Sequence, residues 1–167
     1  MTYVELQVTS HFSFLRGASS PEELFAAAAV QGHHALGLAD WGSVAGVVRG
    51  WDGQKTTGVR MIAGARVDLT DGRALLLYPT DRRAWSRLTR LLSIGKARGG
   101  KGHCILEWQD VVALAEGLIA ILVPDLPDAD TERQLVELRN AFGARGHLAL
   151  SLRRRPGDAE RLNDVTG

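Results

Sequence analysis

The chain holds 167 residues, 45% hydrophobic and 23% charged, a balance that supports one buried core and argues against disorder. Its 20 basic and 19 acidic residues nearly cancel, so no overall field draws it onto nucleic acid or an anionic membrane, and any DNA contact must be local. Cys104 alone excludes an intramolecular disulfide, the amino terminus shows no export-type leader, and the longest apolar run, Leu118 to Pro124, is far shorter than the roughly 20 residues of a membrane span; a cytoplasmic protein without membrane contact is expected.

Alternating apolar positions over Tyr3–Val8 predict a first strand, followed by a loop, Thr9–Ser19, rich in serine and aromatic residues. Ser20-Pro21-Glu22-Glu23 supplies an N-cap hydroxyl, a proline for the first helical position and a glutamate for a capping box, predicting a helix that stops near Gly32. Ala35–Ala39 reads as a buried strand, Asp40-Trp41-Gly42 as its exit loop, and Ser43 as the cap of a helix running to about Lys55. Met61–Leu69 and Ala74–Tyr78 are predicted to pair, because Thr70-Asp71-Gly72-Arg73 between them carries a hairpin turn signal.

A helix from Asp81 to Ser93 precedes the glycine-rich segment Gly95–Gly102. Then come a short helix around Trp108–Ala115, a strand Leu118–Val123, a linker Pro124–Asp130, a helix Thr131–Phe142 and a strand His147–Leu152. Strands alternating with helices throughout predict a single α/β domain over residues 1–167, with a largely parallel sheet or barrel, because parallel neighbours need crossover helices.

Several groups carry possible chemistry, each with a plainer alternative. His33 and His34, between a helix end and a buried strand, are placed to hydrogen-bond the last helical carbonyls rather than to ligate metal. His103 and Cys104 are adjacent and lack the spacing of a zinc pair. Gly95, Gly100 and Lys101 have the spacing of a phosphate-binding loop, yet Gly102 replaces the Ser or Thr that would hold magnesium and a helix precedes the segment. Lys96, Arg98 and Lys101 remain candidates for a basic loop that touches DNA phosphates or a neighbouring domain. Arg153-Arg154-Arg155, and Arg82, Arg83, Arg87 and Arg90 along one helix, read as solvated faces; Trp85 and Trp108 read as packing residues.

The run Tyr3-Val4-Glu5-Leu6-Gln7-Val8-Thr9-Ser10-His11-Phe12-Ser13-Phe14-Leu15-Arg16-Gly17-Ala18-Ser19 closely resembles the start of the bacterial error-prone DNA polymerases of the polymerase III alpha type. The likeness continues through Pro21–Leu24, Ala45–Arg49, Tyr78–Arg82, Arg90–Lys96 and Ala115–Ile121. In that family this region is a PHP domain, so the resemblance implies a PHP-type distorted β/α barrel, incomplete here because the chain ends before the family's last ligand motifs. It also implies a metal site built from a His-x-His pair on the first strand, an Asp-His pair after the second and a Glu after the third, suited to zinc, manganese or iron.

Laid on that pattern, Gln7 and Thr9 stand at the His-x-His positions, Asp40 is kept but followed by Trp41, and Arg66 stands at the Glu position. A guanidinium cannot ligate a cation and repels one. His11 and Asp40 are the weak metal candidates left; no cofactor is expected, with zinc or manganese the exception. Two roles are open for Arg66: an ion pair with Asp40 in place of the metal, which charge favours, or an anion contact in a residual phosphate pocket. Trp41 is placed to fill the volume that metal and histidine leave.

The resemblance thus implies a non-catalytic structural or interaction module of an error-prone, translesion DNA polymerase. The parent would be a nucleotidyltransferase acting in DNA replication, repair and damage tolerance. The alternative is a metal-dependent phosphoesterase or proofreading nuclease with degenerate ligands, which requires a metal near His11 and Asp40. A stand-alone DNA-binding protein requires the basic loops to gather on one face. Expected partners are the remaining polymerase domains, possible DNA contacts through the basic loops, and other copies of the chain, since an incomplete barrel exposes sheet edges.

Overall fold

The computed structural model describes residues 3–124 and 129–150. The element order is β1 (Glu5–Val8), α1 (Pro21–Val30), β2 (Ala35–Trp41), α2 (Val47–Thr57), β3 (Arg60–Asp68), β4 (Ala74–Pro79), α3 (Arg82–Gly99), α4 (Trp108–Ala113), β5 (Leu118–Leu122), α5 (Ala129–Phe142), a single 3-10 turn and β6 (Gly146–Leu148). The α1 capping box forms as its residues predict, with the Glu23 N–H donating to Ser20 Oγ at 3.2 Å and the Ser20 N–H to Glu23 Oε2 at 2.8 Å.

The strands lie in the order β1-β2-β3-β4-β5-β6 in a curled sheet that forms a half-barrel. It is less parallel than alternation alone suggests. The β1–β2, β2–β3 and β5–β6 pairs are parallel, while β3–β4 and β4–β5 are antiparallel. The first antiparallel pair follows from the predicted hairpin. The second arises because α3 runs away from the end of β4 and the segment through α4 returns, so two passes deliver β5 to the end where β4 finished, with Pro79 opposite Leu118.

Two helix boundaries differ from expectation. The second helix begins at Val47 rather than at Ser43, because the Gly46 N–H turns inward to Asp40 and Ser43 Oγ serves only the local Ala45 N–H at 3.0 Å. The third does not stop at Ser93 but continues to Gly99, with Gly95 buried against Cys104 and Leu106. The final strand pairs over Gly146–Leu148, short of the expected His147–Leu152, whose last residues lie outside the described ones.

Helices cover the convex face. Val67, Leu75, Leu77 and Leu122 pack against Leu88 and Leu91 of α3, Val111 of α4, and Leu138 and Phe142 of α5. Phe25, Ala28, Leu36 and Val59 form a second cluster under α1 and α2. Trp85 and Trp108 pack against the first cluster as expected.

The concave face holds Ala39, Leu76, Tyr78, Ile121 and Val123. Tyr78 on β4 donates its hydroxyl proton to the Leu6 carbonyl on β1. Three strand spacings in a flat sheet would separate those strands by about 14 Å, beyond a tyrosine's reach, so this bond records the curl. Gly64 makes room for it: a Cβ there would lie 2.4 Å from the Tyr78 ring. No helix among the described residues is long and apolar enough to cross a membrane.

Candidate functional site

The carboxyl ends of β2 and β3 carry the residues that the sequence singles out, and Asp40 sits at their centre, 1% exposed. Both its oxygens are occupied. Oδ1 accepts from the Ser10 N–H at 2.9 Å, Ser10 Oγ at 2.9 Å and Ser13 Oγ at 2.7 Å; Oδ2 accepts from the Gly46 N–H at 3.1 Å and lies 3.0 Å from Ser10 Oγ. Ser13 Oγ also accepts from the Trp41 N–H at 2.9 Å. A buried carboxylate must find such donors or lose its hydration without return. Here they come from the loop after β1 and from the start of α2.

Asp40 thereby fixes the loop Ser10–Gly17. Inside it, the Ser13, Arg16 and Gly17 N–H groups bond the carbonyls of Ser10, Ser13 and Ser13 respectively at 2.9, 2.9 and 3.1 Å. Leu15 adopts the left-handed region at φ 60°, which costs a side-chain-bearing residue free energy unless its surroundings hold it. A Cβ on Gly17 would stand 2.2 Å from the Ser10 carbonyl oxygen, so only glycine closes this turn. Sequence reading overlooked Ser10 and Ser13; the available signal was a serine-rich loop facing a lone aspartate at a strand end.

The expected Asp40–Arg66 ion pair does not form. Arg66 instead bonds Asp68 through Nε at 3.3 Å and lays its guanidinium 4.0 Å from the Trp41 ring centroid. Arg16 lies 3.9 Å from the same ring centroid. The strand register decides this: Asp40 stands beside Ala65 and Trp41 beside Arg66, so Arg66 leaves the sheet on the face of Trp41 and opposite to Asp40, and its stacking on the ring contributes roughly 0.5–1 kcal/mol. Trp41 thus forms a cation–π contact with each of these guanidinium groups at the mouth of the half-barrel.

The remaining family positions do not converge. Gln7 uses its backbone N–H on Glu5 Oε1 at 2.7 Å, Thr9 is half-buried in the strand exit, and exposed His11 packs its ring 4.6 Å from Phe12. Among the described residues no group of three or more His, Cys, Asp or Glu is placed to hold a metal ion. The donor set also disagrees with a divalent metal: Asp40 is saturated by hydrogen-bond donors, and Arg66 brings a permanent positive charge to the position where the resemblance implies a ligand.

Beside this cluster opens a cavity of about 680 Å³, lined by Phe12, Arg16, Trp41, Lys96, Lys101 and His103 among others. Lys96 and Arg98 belong to the last turns of α3, not to a loop, and only Lys101 follows the helix. Arg98 is removed from ligand duty by a bidentate pair with Asp110, whose carboxyl is thereby held below the usual range. Burial pushes the Cys104 thiol up, with nearby Lys96 opposing, so it is not an activated nucleophile. The His33 contact with the helix end runs through its backbone N–H to the Ala28 carbonyl at 2.9 Å, while its ring packs against Tyr3. The Arg153–Arg155 cluster lies outside the described residues.

Comparison with known proteins agrees with this fold. The chain is 54% identical over 99% of its length to "Error-prone DNA polymerase 2" of Agrobacterium fabrum, 55% identical over 99% to that of Rhizobium meliloti, and 44% identical over 96% to "Error-prone DNA polymerase" of Caulobacter vibrioides. It spans about 15% of the length of each, in their amino-terminal region. Among solved structures, a protein from Bifidobacterium adolescentis assigned as a metal-dependent phosphoesterase aligns at TM-score 0.69 and 15% identity, over 98% of this chain and 82% of that one. An amidohydrolase from Chromobacterium violaceum, with bound sulfate and no metal, aligns at 0.58 and 15% identity, over 86% and 74%. At that identity they share the fold. The PHP domain family matches residues 5–166, and the chain belongs to that family.

Proposed function

We propose that this chain is a non-catalytic structural and interaction module of an error-prone DNA polymerase, and that it lacks the metal-dependent hydrolysis of active PHP domains. The carrying observation is Asp40: the retained ligand-type residue is buried and saturated by Ser10, Ser13 and Gly46. A catalytic metal needs several ligands and an open position for water. The polymerase likeness of the relatives supports a cytoplasmic role in translesion synthesis and damage repair, carried out by a parent nucleotidyltransferase. The remaining domains of such a parent are the first partners of this module, and the isolated chain also meets its own copies.

Metal analysis of protein purified without chelator or affinity metal, with a phosphodiesterase assay in added manganese and zinc, tests this. Substoichiometric metal and no hydrolysis are expected. One metal per chain with metal-dependent hydrolysis would establish the alternative, a phosphoesterase or proofreading nuclease with degenerate ligands.

A further inference from the structure

The cavity carries cations that the fold does not use. Among the described residues Lys96 and Lys101 form no ion pair, and Arg16 is engaged only through the face of its guanidinium on Trp41. Stacking leaves the in-plane N–H donors of a guanidinium free to take a phosphate. The acid that lines the cavity, Asp68, is already paired with Arg66 at 3.3 Å. His103 adds a donor at the rim.

Aromatic surface stands beside these charges. Phe12 lines the cavity and is 41% exposed, and Phe14 and Leu15 on the same loop are 85% and 88% exposed. Large apolar side chains left in water on a loop tied down by a buried carboxylate are not a packing remnant, because the Asp40 bonds hold them out rather than in. Cations that track a backbone beside rings that accept any base face are what single-stranded nucleic acid requires. A simple anion would not use the rings, and a duplex keeps its bases stacked inside.

We propose that this cavity and the Ser10–Gly17 loop bind single-stranded DNA, with phosphates on Arg16, Lys96 and Lys101 and an unstacked base against Phe12. The proposal builds on the reading of the chain as part of a polymerase. It gives Asp40 a present purpose: the former ligand position now stiffens a binding loop, which lowers the ordering cost of binding.

The test is fluorescence anisotropy of the 167-residue chain with labelled oligothymidylate of about 12 nucleotides, within the span of such sites, over a salt series. Binding that weakens with salt is expected. The double variant Lys96→Ala/Lys101→Ala should lose about tenfold or more in affinity and flatten the log–log salt slope by about 1.4, at ~0.7 per phosphate contact of a single strand. Phe12→Ala should weaken binding at least about fivefold, the lower end for loss of one stacked base. Arg82→Ala/Arg83→Ala, in an exposed basic pair at the start of α3, should bind like the parent chain.

No binding at low salt overturns the proposal. So does equal loss in the Arg82/Arg83 variant, equal affinity for a duplex of the same length, or binding of inorganic phosphate alone. Should Phe12→Ala shift the thermal midpoint, the lysine pair, wholly at the surface, decides. Failure here leaves the metal and hydrolysis results untouched, and hydrolysis together with oligonucleotide binding would strike only the non-catalytic reading.

Discussion

Asp40 is held by hydroxyl and amide donors alone, so removing it strands them. Asp40→Ala leaves the Ser10 and Ser13 hydroxyls and the Ser10 and Gly46 N–H groups without their acceptor in a site where Ser10 is 0% and Ser13 4% exposed. At about 1–3 kcal/mol for each group left unsatisfied, with partial relief from hydroxyl rotation, a loss of about 4 kcal/mol is expected in urea unfolding. A loss under about 1 kcal/mol would show that water reaches the site and that the loop is not held as described. Trp41 belongs to the same scale: its neighbours Arg16 and Arg66 lie on a chain whose bulk charge gives no hint of a local cationic cluster.

At the level of elements, α3 and α4 are clamped by Arg98 and Asp110, and α3 is capped by the Asp81 carboxylate accepting the Ala84 N–H at 2.7 Å. The hydrogen bond from Arg98 first, and that from Ala84 first, hold the Asp110 and Asp81 carboxyls below their ordinary value of 3.8. A depressed folded-state value means that the stability these groups add is fully present above 3.8 and is lost as the pH falls through the lower, folded value. Urea midpoints should therefore hold steady near neutrality and fall below about pH 4, and Asp110→Asn should make that acid fall shallower. A midpoint whose acid slope is unchanged in Asp110→Asn would remove the clamp from the account. The same pair explains why Arg98 does not share the cavity with Lys96, two residues away on α3.

For the whole molecule, β1 and β6 are the outer strands of the described sheet. A strand with one neighbour offers unpaired N–H and C=O groups to a second chain. We expect the average mass in sedimentation velocity to rise with protein concentration. A constant monomer mass across the series would mean that the edges are satisfied within one chain, and would withdraw self-association as a property of the isolated domain. In the relatives the matching segment is about 15% of the chain, so in those longer proteins the corresponding edges have further chain to meet.

The linear pattern was sufficient for the local elements: the α1 capping box, the β3–β4 hairpin at Asp71-Gly72, the buried run of β2 and the family itself, carried by the residues around β1. Each depends on neighbours within a few positions or on a motif. Tertiary structure alone decided that β5 pairs antiparallel with β4, that Gly95 continues a helix, and that Asp40 bonds Ser10 and Ser13 some 30 and 27 residues away instead of Arg66. Charge complementarity favoured the ion pair on paper. The β2–β3 register set Arg66 beside Trp41 and Asp40 beside Ala65, and because alternate residues of a strand face opposite sides of the sheet, the two charges never meet.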